Sequence, residues 1–328
     1  MLLIDPELLL LIVLPVLGLL LGSFFNVVIA RVPRGESIVR PGSRCPKCGH
    51  ALRWYENVPV LSWLALRGRC SRCKTPISPR YVAVELLTGA LFFACGVRFG
   101  LTWQIVPAVL MVCFLVPLIF IDAAEWILPF ELTLPGIAVG LLLPLYIGWE
   151  DVKVAAIGAA SGFLTFRAVE YLGWKLFKKE AMGAGDKFLV ALICAYLSVR
   201  ALPGLFLLSS LQGSIFGLTA IALSGRAGPQ TETEGEEVER EEAPPTMTWE
   251  FTKPGLPLWR RLVLLPWCIL LQPIPDEPKN LEGEEIDWQP GPTNLPFGPW
   301  LGLAAIELML VGPWLSQHVP YVGGVFML

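Results

Sequence analysis

Two aspartates stand where a carboxylate could do chemistry. Asp186 follows the stretch Gly183-Ala184-Gly185 and directly precedes an apolar run, and Asp122 ends another apolar run upstream. Glycines beside Asp186 let backbone or substrate approach it closely, because no Cβ stands in the way. Two carboxyl groups at helix ends could meet and share a proton, one activating a water and the other hydrogen-bonding to a scissile carbonyl. The alternative is that each is an ordinary helix-end residue, with Asp186 as an N-cap.

Four cysteines form two CxxC pairs, Cys45 with Cys48 and Cys70 with Cys73. This spacing is typical of a structural zinc site, in which four thiolates close a tetrahedron and leave no open position. Gly49 supplies the tight turn that such a knuckle needs. The alternative is a pair of disulfides or free thiols. We expect a structural zinc ion.

The remaining cysteines and the histidines predict no second site. Four cysteines stand alone in apolar runs, where we expect them to pack: Cys95, Cys113, Cys194 and Cys268. His50 and His318 are the only histidines, one in a loop and one near the C-terminus. Nothing places either beside a nucleophile, which argues against a Ser-His-Asp or Cys-His mechanism.

The elements that position these residues are apolar helices. The chain has 328 residues, of which 54% are hydrophobic and 16% charged, and its mean hydropathy is +0.61. This composition predicts an all-α polytopic membrane protein with about eight transmembrane helices. The predicted spans are 8–30, 82–100, 103–121, 132–148, 152–173, 187–201, 203–223 and 297–316. The first has no basic n-region before it and no small-residue cleavage site, and it continues directly into Arg31, so we expect a retained helix.

Charge in the loops predicts the orientation. Residues 31–80 contain eleven lysines and arginines against Glu36 and Glu56, so this loop should be cytoplasmic. Threading the predicted spans from there places Asp122 and Asp186 on the same inner face. Glu85 lies about one turn inside the second span, as a functional group or as the partner of a loop arginine. Prolines and a glycine within 128–136 break the helix after Asp122 and would let water reach it.

The chain changes composition after residue 224. Residues 225–292 are rich in Glu, Pro and Gly, with seven glutamates between 232 and 242. We expect a flexible cytoplasmic insert, in which the apolar stretch 262–271 forms an interfacial helix. The predicted organisation is therefore a first transmembrane helix (1–30), a cytoplasmic zinc-binding domain (31–80), a membrane-embedded core (81–224), the insert (225–292), and a last transmembrane helix with the C-terminus (293–328).

Several stretches together resemble the type IV leader peptidase family, the bacterial prepilin peptidases. They are Gly22 to Asn26, Pro33 to Ser37, the two cysteine pairs with Trp54 to Trp63 between them, Ile77 to Tyr81, the two aspartate motifs, and Leu295 to Leu301. Asp122 precedes Pro129 by seven residues, as in the family, and Gly183-Ala184-Gly185-Asp186 matches its GxGD motif. Three features depart from the pattern: Phe130 replaces an aspartate, Phe188 replaces a lysine while Lys187 comes one place early, and the insert is long.

The resemblance implies an aspartic endopeptidase of the bacterial inner membrane with Asp122 and Asp186 as the catalytic pair. Its substrates would be type IV prepilins or type II secretion pseudopilins, cut on the cytoplasmic face after the glycine that ends a basic leader. Membrane lipid surrounds such a protein, and no nucleic acid partner is expected. Many members also methylate the new N-terminus with S-adenosylmethionine. Here that activity and its cofactor are implied by resemblance alone, because the chain has no glycine-rich methyltransferase fingerprint.

A different class of function stays open from the residues themselves. The chain could be a non-enzymatic membrane scaffold, or a transporter with a zinc-knuckle docking domain in which the aspartates form an ion pathway. Proteins of the same genome with a short basic leader ending in glycine before an apolar helix would favour the peptidase.

Overall fold

The computed structural model describes residues 5–146, 148–177, 183, 185–224 and 295–318. Regular structure in these residues is helical, apart from two isolated bridges near the cysteines. The α-helices are α1 (Pro6–Arg31), α2 (Leu61–Ala65), α3 (Arg80–Phe99), α4 (Ile105–Glu125), α5 (Phe130–Leu142), α6 (Trp149–Phe177), α7 (Asp186–Leu197), α8 (Ala201–Ser224) and α9 (Gly298–His318). Three 3-10 turns cover Val32–Arg34, Trp54–Glu56 and Leu143–Tyr146. The predicted all-α class is confirmed.

Each of the eight predicted spans coincides with a helix, but two of these helices are short. Within the described ranges, six helices are long and apolar enough to cross a membrane. α5, even with its 3-10 extension, and α7, with 12 residues, fall below that length. α7 ends because Ser198 has φ 67°, a backbone conformation that a right-handed helix cannot include. The sequence therefore located all eight helices, of which six have the length expected for a membrane span.

The two helices that carry the aspartates lie in the interior. Every residue of α4 from Leu115 to Ala123 is buried, and so is every residue of α7 from Leu189 to Ala195. Helices that are apolar on all sides are typical of such a core. α5 and α6 pack against α7, α8 and α4 pack against α9, and α1 packs along α3.

The segment between α1 and α3, residues 32–79, contains two similar knuckles, with α2 between them. In the first, the Cys45 N–H donates to the His50 carbonyl, and in the second the Cys70 N–H donates to the Thr75 carbonyl, at 2.9 and 2.8 Å. Gly49 has φ 68° in the first knuckle and Lys74 has φ 59° at the equivalent place in the second. The predicted turn at Gly49 is confirmed, since this left-handed conformation favours glycine.

The cysteine segment is fixed to the membrane helices through Glu85. This side chain of α3 is 7% exposed, and its Oε2 accepts a 2.7 Å hydrogen bond from the Val60 backbone N–H. Nearby, the Asn26 amide of α1 donates to the Tyr81 carbonyl at 3.0 Å. The sequence suggested that Glu85 is either a functional group or the partner of a loop arginine. In the structure its carboxylate accepts a hydrogen bond from a loop backbone N–H, which explains its burial without either role.

The long insert cannot be compared with its prediction. Residues 225–292, including the expected interfacial helix at 262–271 and Cys268, lie outside the described residues. The chain is described again from Leu295, just before α9 begins.

Candidate active site

Asp122 lies in the last turn of α4. Its side chain is 6% exposed, and α4 ends soon afterwards because Trp126, which donates its N–H to the Asp122 carbonyl at 3.0 Å, has φ 59°. Pro129 then precedes α5, as the helix break in the sequence predicts. The carboxyl group is therefore held at a helix end, inside the protein rather than on its surface.

Asp186 is the first residue of α7 and is 5% exposed. Gly185 occupies the N-cap position. Asp186 is therefore not the N-cap residue that the alternative interpretation, an ordinary helix-end aspartate, predicts. The Asp186 N–H donates to the Gly183 carbonyl at 3.2 Å, and the Gly183 backbone interacts with the Asp186 carboxyl group. The glycines of this motif thus form the turn that presents the carboxyl group.

The fold brings the two aspartates together through the loop between α4 and α5. A Cβ on Gly185 would lie 2.7 Å from the Cβ of Leu128, a residue of that loop. Only glycine allows this approach, because real Cβ atoms do not come so close to other carbon atoms. Asp122 and Asp186 are near enough to interact electrostatically.

Sequence reasoning missed a third element of this site, the N-terminus of α9. A Cβ on Gly298 would lie 2.5 Å from Asp122 Oδ2. That oxygen is buried and has no hydrogen-bond partner among the described residues. Gly298 belongs to the stretch Leu295 to Leu301. The sequence showed that this stretch resembles the family, but it did not indicate a function for any residue in it.

The two substituted family positions, Phe130 and Phe188, contact each other. Their rings meet edge to face with centroids 5.1 Å apart, and Phe163 of α6 lies 5.3 Å from Phe188. Lys187, the lysine that comes one place early, forms a 3.0 Å ion pair with Glu170 of α6. An aromatic contact therefore joins the starts of α5 and α7 beside the aspartates.

The four cysteines form a candidate metal centre. The sulfurs of Cys45, Cys48, Cys70 and Cys73 all lie within 4.8 Å of one another, and Cys45 Sγ is 3.7 Å from Cys73 Sγ. Zinc–sulfur bonds of about 2.3 Å in a tetrahedron place sulfurs about 3.8 Å apart. The cluster therefore fits a metal ion with four thiolate ligands.

Local contacts shift the pKa values of two thiols of this centre in opposite directions. Hydrogen bonds from Thr75 lower the pKa of Cys73 to about 6, which favours its thiolate at neutral pH. Burial raises the pKa of Cys45 to about 11, so a bound cation is needed to deprotonate that thiol. Backbone and side-chain hydrogen bonds, the first from Arg53, lower the pKa of the neighbouring Glu56 to about 2.

The aspartates and the cysteine centre lie at the same end of the helix bundle. Arg80, the first residue of α3 after the cysteine segment, donates from its guanidinium to the Phe120 carbonyl at 3.2 Å. Phe120 is two residues from Asp122 in α4. Glu125, in the same turn, interacts electrostatically with Arg34 and Arg80. The basic segment 31–80 and the carboxyl pair therefore face one side.

Family models match two parts of the chain. The bacterial peptidase A24 N-terminal domain matches residues 16–99, and the type IV leader peptidase family matches residues 109–218. The first match covers the cysteine segment, and the second covers both aspartates.

Curated relatives extend the match to nearly the whole chain. A prepilin leader peptidase/N-methyltransferase of Myxococcus xanthus is 58% identical over 305 residues, which cover 93% of this chain and 91% of the relative. Proteins with the same name from Neisseria gonorrhoeae and Aeromonas hydrophila are 37% and 39% identical, covering 64% and 63% of this chain and 82% and 79% of the relatives. No solved structure matches the chain.

Proposed function

This chain belongs to the type IV leader peptidase family, and we propose that it cleaves the leader from prepilins or pseudopilins by an aspartic mechanism with Asp122 and Asp186. One observation carries the proposal. Two carboxyl groups at the ends of different helices are 6% and 5% exposed, and each is approached closely by a backbone glycine, Gly298 at Asp122 and Gly183 at Asp186. A buried carboxyl group is unfavourable for folding unless a cation pairs with it, and neither group has such a partner in the described part of the chain.

The chemistry follows from the pairing. Two neighbouring carboxyl groups do not both ionise easily, so in this mechanism the pair holds one proton. The ionised member takes a proton from a water, which attacks the scissile carbonyl, and the protonated member hydrogen-bonds to the carbonyl oxygen. The proton belongs to the pair, and neither aspartate has a fixed role. No covalent enzyme intermediate forms.

The placement of the site agrees with a cytoplasmic substrate leader. The eleven basic residues of 31–80 favour the cytoplasmic side of a bacterial inner membrane for this segment. The contact between Arg80 and Phe120 supports placing Asp122 at the same side. A basic leader that stays in the cytoplasm then meets the carboxyl pair at the membrane edge.

We propose zinc as the metal of the four-cysteine cluster, with a structural role. Cys45, Cys48, Cys70 and Cys73 would hold it, and four sulfur ligands leave no coordination position for a substrate. When bound, the ion cross-links the two knuckles. The knuckle turns, the bridges Arg44 to Ala51 and Arg69 to Pro76, and the Val60 to Glu85 hydrogen bond then orient the segment on α3.

Methylation of the new N-terminus is a second proposed activity, supported by the names of the relatives. The residues that would bind S-adenosylmethionine are not assigned. A cleft of about 300 Å³ lies between α1 and the segment 38–59. Arg31 is the one charged residue in its lining, so no carboxylate there pairs with the sulfonium and ammonium groups of that cofactor.

Incubation of the purified protein with a prepilin in detergent tests the proposal. We expect mass spectrometry to find cleavage after the glycine that ends the basic leader and, with S-adenosylmethionine present, a methyl group on the new N-terminus. Cleavage without methylation would keep the peptidase and remove the second activity. A folded protein that leaves the prepilin intact would contradict the proposal.

A further inference from the structure

The N-terminus of α9 faces the Asp122 carboxyl group. Gly298 is the first residue of this 21-residue helix, and its backbone interacts with that carboxyl group. The N–H groups of Trp300 and Leu301 both donate to the Phe297 carbonyl, at 3.1 and 3.2 Å, and Pro299 has no N–H. The Gly298 N–H is therefore the donor that the helix end leaves for Asp122.

Position 298 has no room for a side chain. An added Cβ would lie 2.5 Å from Asp122 Oδ2, 2.9 Å from its Cγ and 3.4 Å from its Cβ. Asp122 cannot withdraw, since it belongs to a stretch of α4 that is buried on all sides. Any side chain at 298 must therefore push the carboxyl group out of place.

Contacts on both sides hold α9 in this position. Gly302, one turn further along, packs on Ile119 of α4, where an added Cβ would lie 2.5 Å from Ile119 Cγ1. Trp300 packs against the ring of Phe216 in α8 with centroids 4.3 Å apart. Gln212 of α8 hydrogen-bonds to Glu307 of α9. The approach of Gly298 to Asp122 is thus set by the packing of three helices.

We propose that Gly298 is a positioning residue for the reaction. Its N–H holds the Asp122 carboxyl group, and its missing side chain leaves the space beside α9 that this carboxyl group occupies. This inference rests on the proposed function of Asp122. It makes α9, which follows the long insert, part of the peptidase site.

The test compares two glycine-to-alanine variants in the prepilin assay, one at the proposed site and one between helices away from it. Displacement of a catalytic group by about 1 Å costs on the order of 100-fold in rate, so we expect Gly298→Ala to lower kcat by about that factor with little change in KM. Gly18→Ala is the matched control, because it introduces a Cβ 2.8 Å from the Thr88 carbonyl oxygen, between α1 and α3, which carry neither aspartate. It should lower thermal stability and leave kcat close to that of the wild type.

The outcomes separate this inference from the proposed function. The positioning role is overturned if Gly298→Ala has a normal kcat, or if both variants lose kcat equally. The proposed function is tested separately, and it is upheld if the wild type cleaves prepilin and Asp122→Asn does not. A fall in kcat confined to Gly298→Ala supports the positioning role.

A cysteine pair gives an answer even if Gly298→Ala does not accumulate. The 3.4 Å between the Asp122 Cβ and a Cβ at position 298 is close to the usual range for disulfides. We expect Asp122→Cys with Gly298→Cys to cross-link α4 to α9 under oxidation, seen on a non-reducing gel after cleavage at a protease site placed within 228–292. Asp122→Cys with Gly302→Cys is the control for the native cysteines. Equal cross-linking of both pairs, or none in the first, would overturn the proposed geometry.

Discussion

The Asp122 carboxyl group is buried, and one of its oxygens lacks a hydrogen-bond partner among the described residues. The side chain is 6% exposed, and its Oδ2 has no hydrogen-bond partner in the described part of the chain. A buried polar atom without a partner costs about 1–3 kcal/mol of stability. A chain selected only for stability would replace such a residue, so this cost supports the proposed role of the carboxyl group in cleavage.

The cysteine ligands can be tested one residue at a time. We expect one zinc ion per chain in protein purified without chelator, and loss of that zinc in Cys73→Ser, because a hydroxyl does not replace a thiolate ligand. Prepilin cleavage should fall indirectly as the segment 32–79 loosens. Atomic absorption and limited proteolysis measure the two effects.

Cys95→Ser is the control for this prediction. Cys95 is fully buried in α3 and away from the cluster, so its variant should keep a full zinc ion. Wild-type protein without any bound metal would show that the four-cysteine cluster is not a zinc site.

Among the elements, α3 links the cysteine segment to the membrane helices. The link rests on Glu85, which accepts the Val60 N–H at 2.7 Å. We expect Glu85→Ala to leave that N–H unsatisfied, at a cost of about 1–3 kcal/mol, and to release the segment from α3. Faster proteolysis within 32–79, with zinc still bound, would report the release.

Glu85→Gln keeps a carbonyl oxygen in place and is the matched control. It should retain most of the protection, because an amide oxygen accepts the same hydrogen bond. Loss of protection equal to that of Glu85→Ala would indicate that the negative charge of Glu85, rather than the hydrogen bond to Val60, fixes the segment.

The helices and the cysteine pairs were predictable because their signals are local. Apolar runs gave the positions of the helices, and CxxC spacing gave the cluster that the structure brings within 4.8 Å. The ends of α5 and α7 were not predictable, since the turn at Ser198 has no strong sequence signal.

Contacts between distant segments were also beyond the sequence. Phe130 and Phe188 were each visible as departures from the family pattern, yet only the fold shows that their rings touch. Gly298 reaches Asp122 from the far side of the insert, and no spacing rule links the two. The approach of Asp122 to Asp186 was expected from their positions at helix ends, while the Gly185 contact with Leu128 that supports it was not.

For the whole molecule, the question is whether the acidic insert belongs to the peptidase. We predict that replacing residues 228–292 by a short Gly/Ser linker preserves prepilin cleavage, because seven glutamates between 232 and 242 and many prolines leave few residues to bury. A contact between this segment and the basic segment 31–80 would be screened over about 8 Å at physiological salt. The variant should therefore differ from the wild type more at low salt than at moderate salt.

The linker in this variant must still let α9 reach α4. Cleavage lost at both salt concentrations, with α9 still inserted, would show that the insert is part of the catalytic fold. That result would contradict the prediction that residues 225–292 are an appended segment and are not required for cleavage.

Prepilin cleavage by Asp122→Asn and Asp186→Asn shows whether the two aspartates form the active site. Asparagine keeps the size of each side chain and removes the oxygen that exchanges a proton. We predict that each variant inserts in the membrane, binds zinc like the wild type and cleaves no detectable prepilin in the mass spectrometric assay. Near-normal cleavage by either variant at matched protein concentration would contradict the proposed catalytic pair, because that aspartate would not be needed for the reaction.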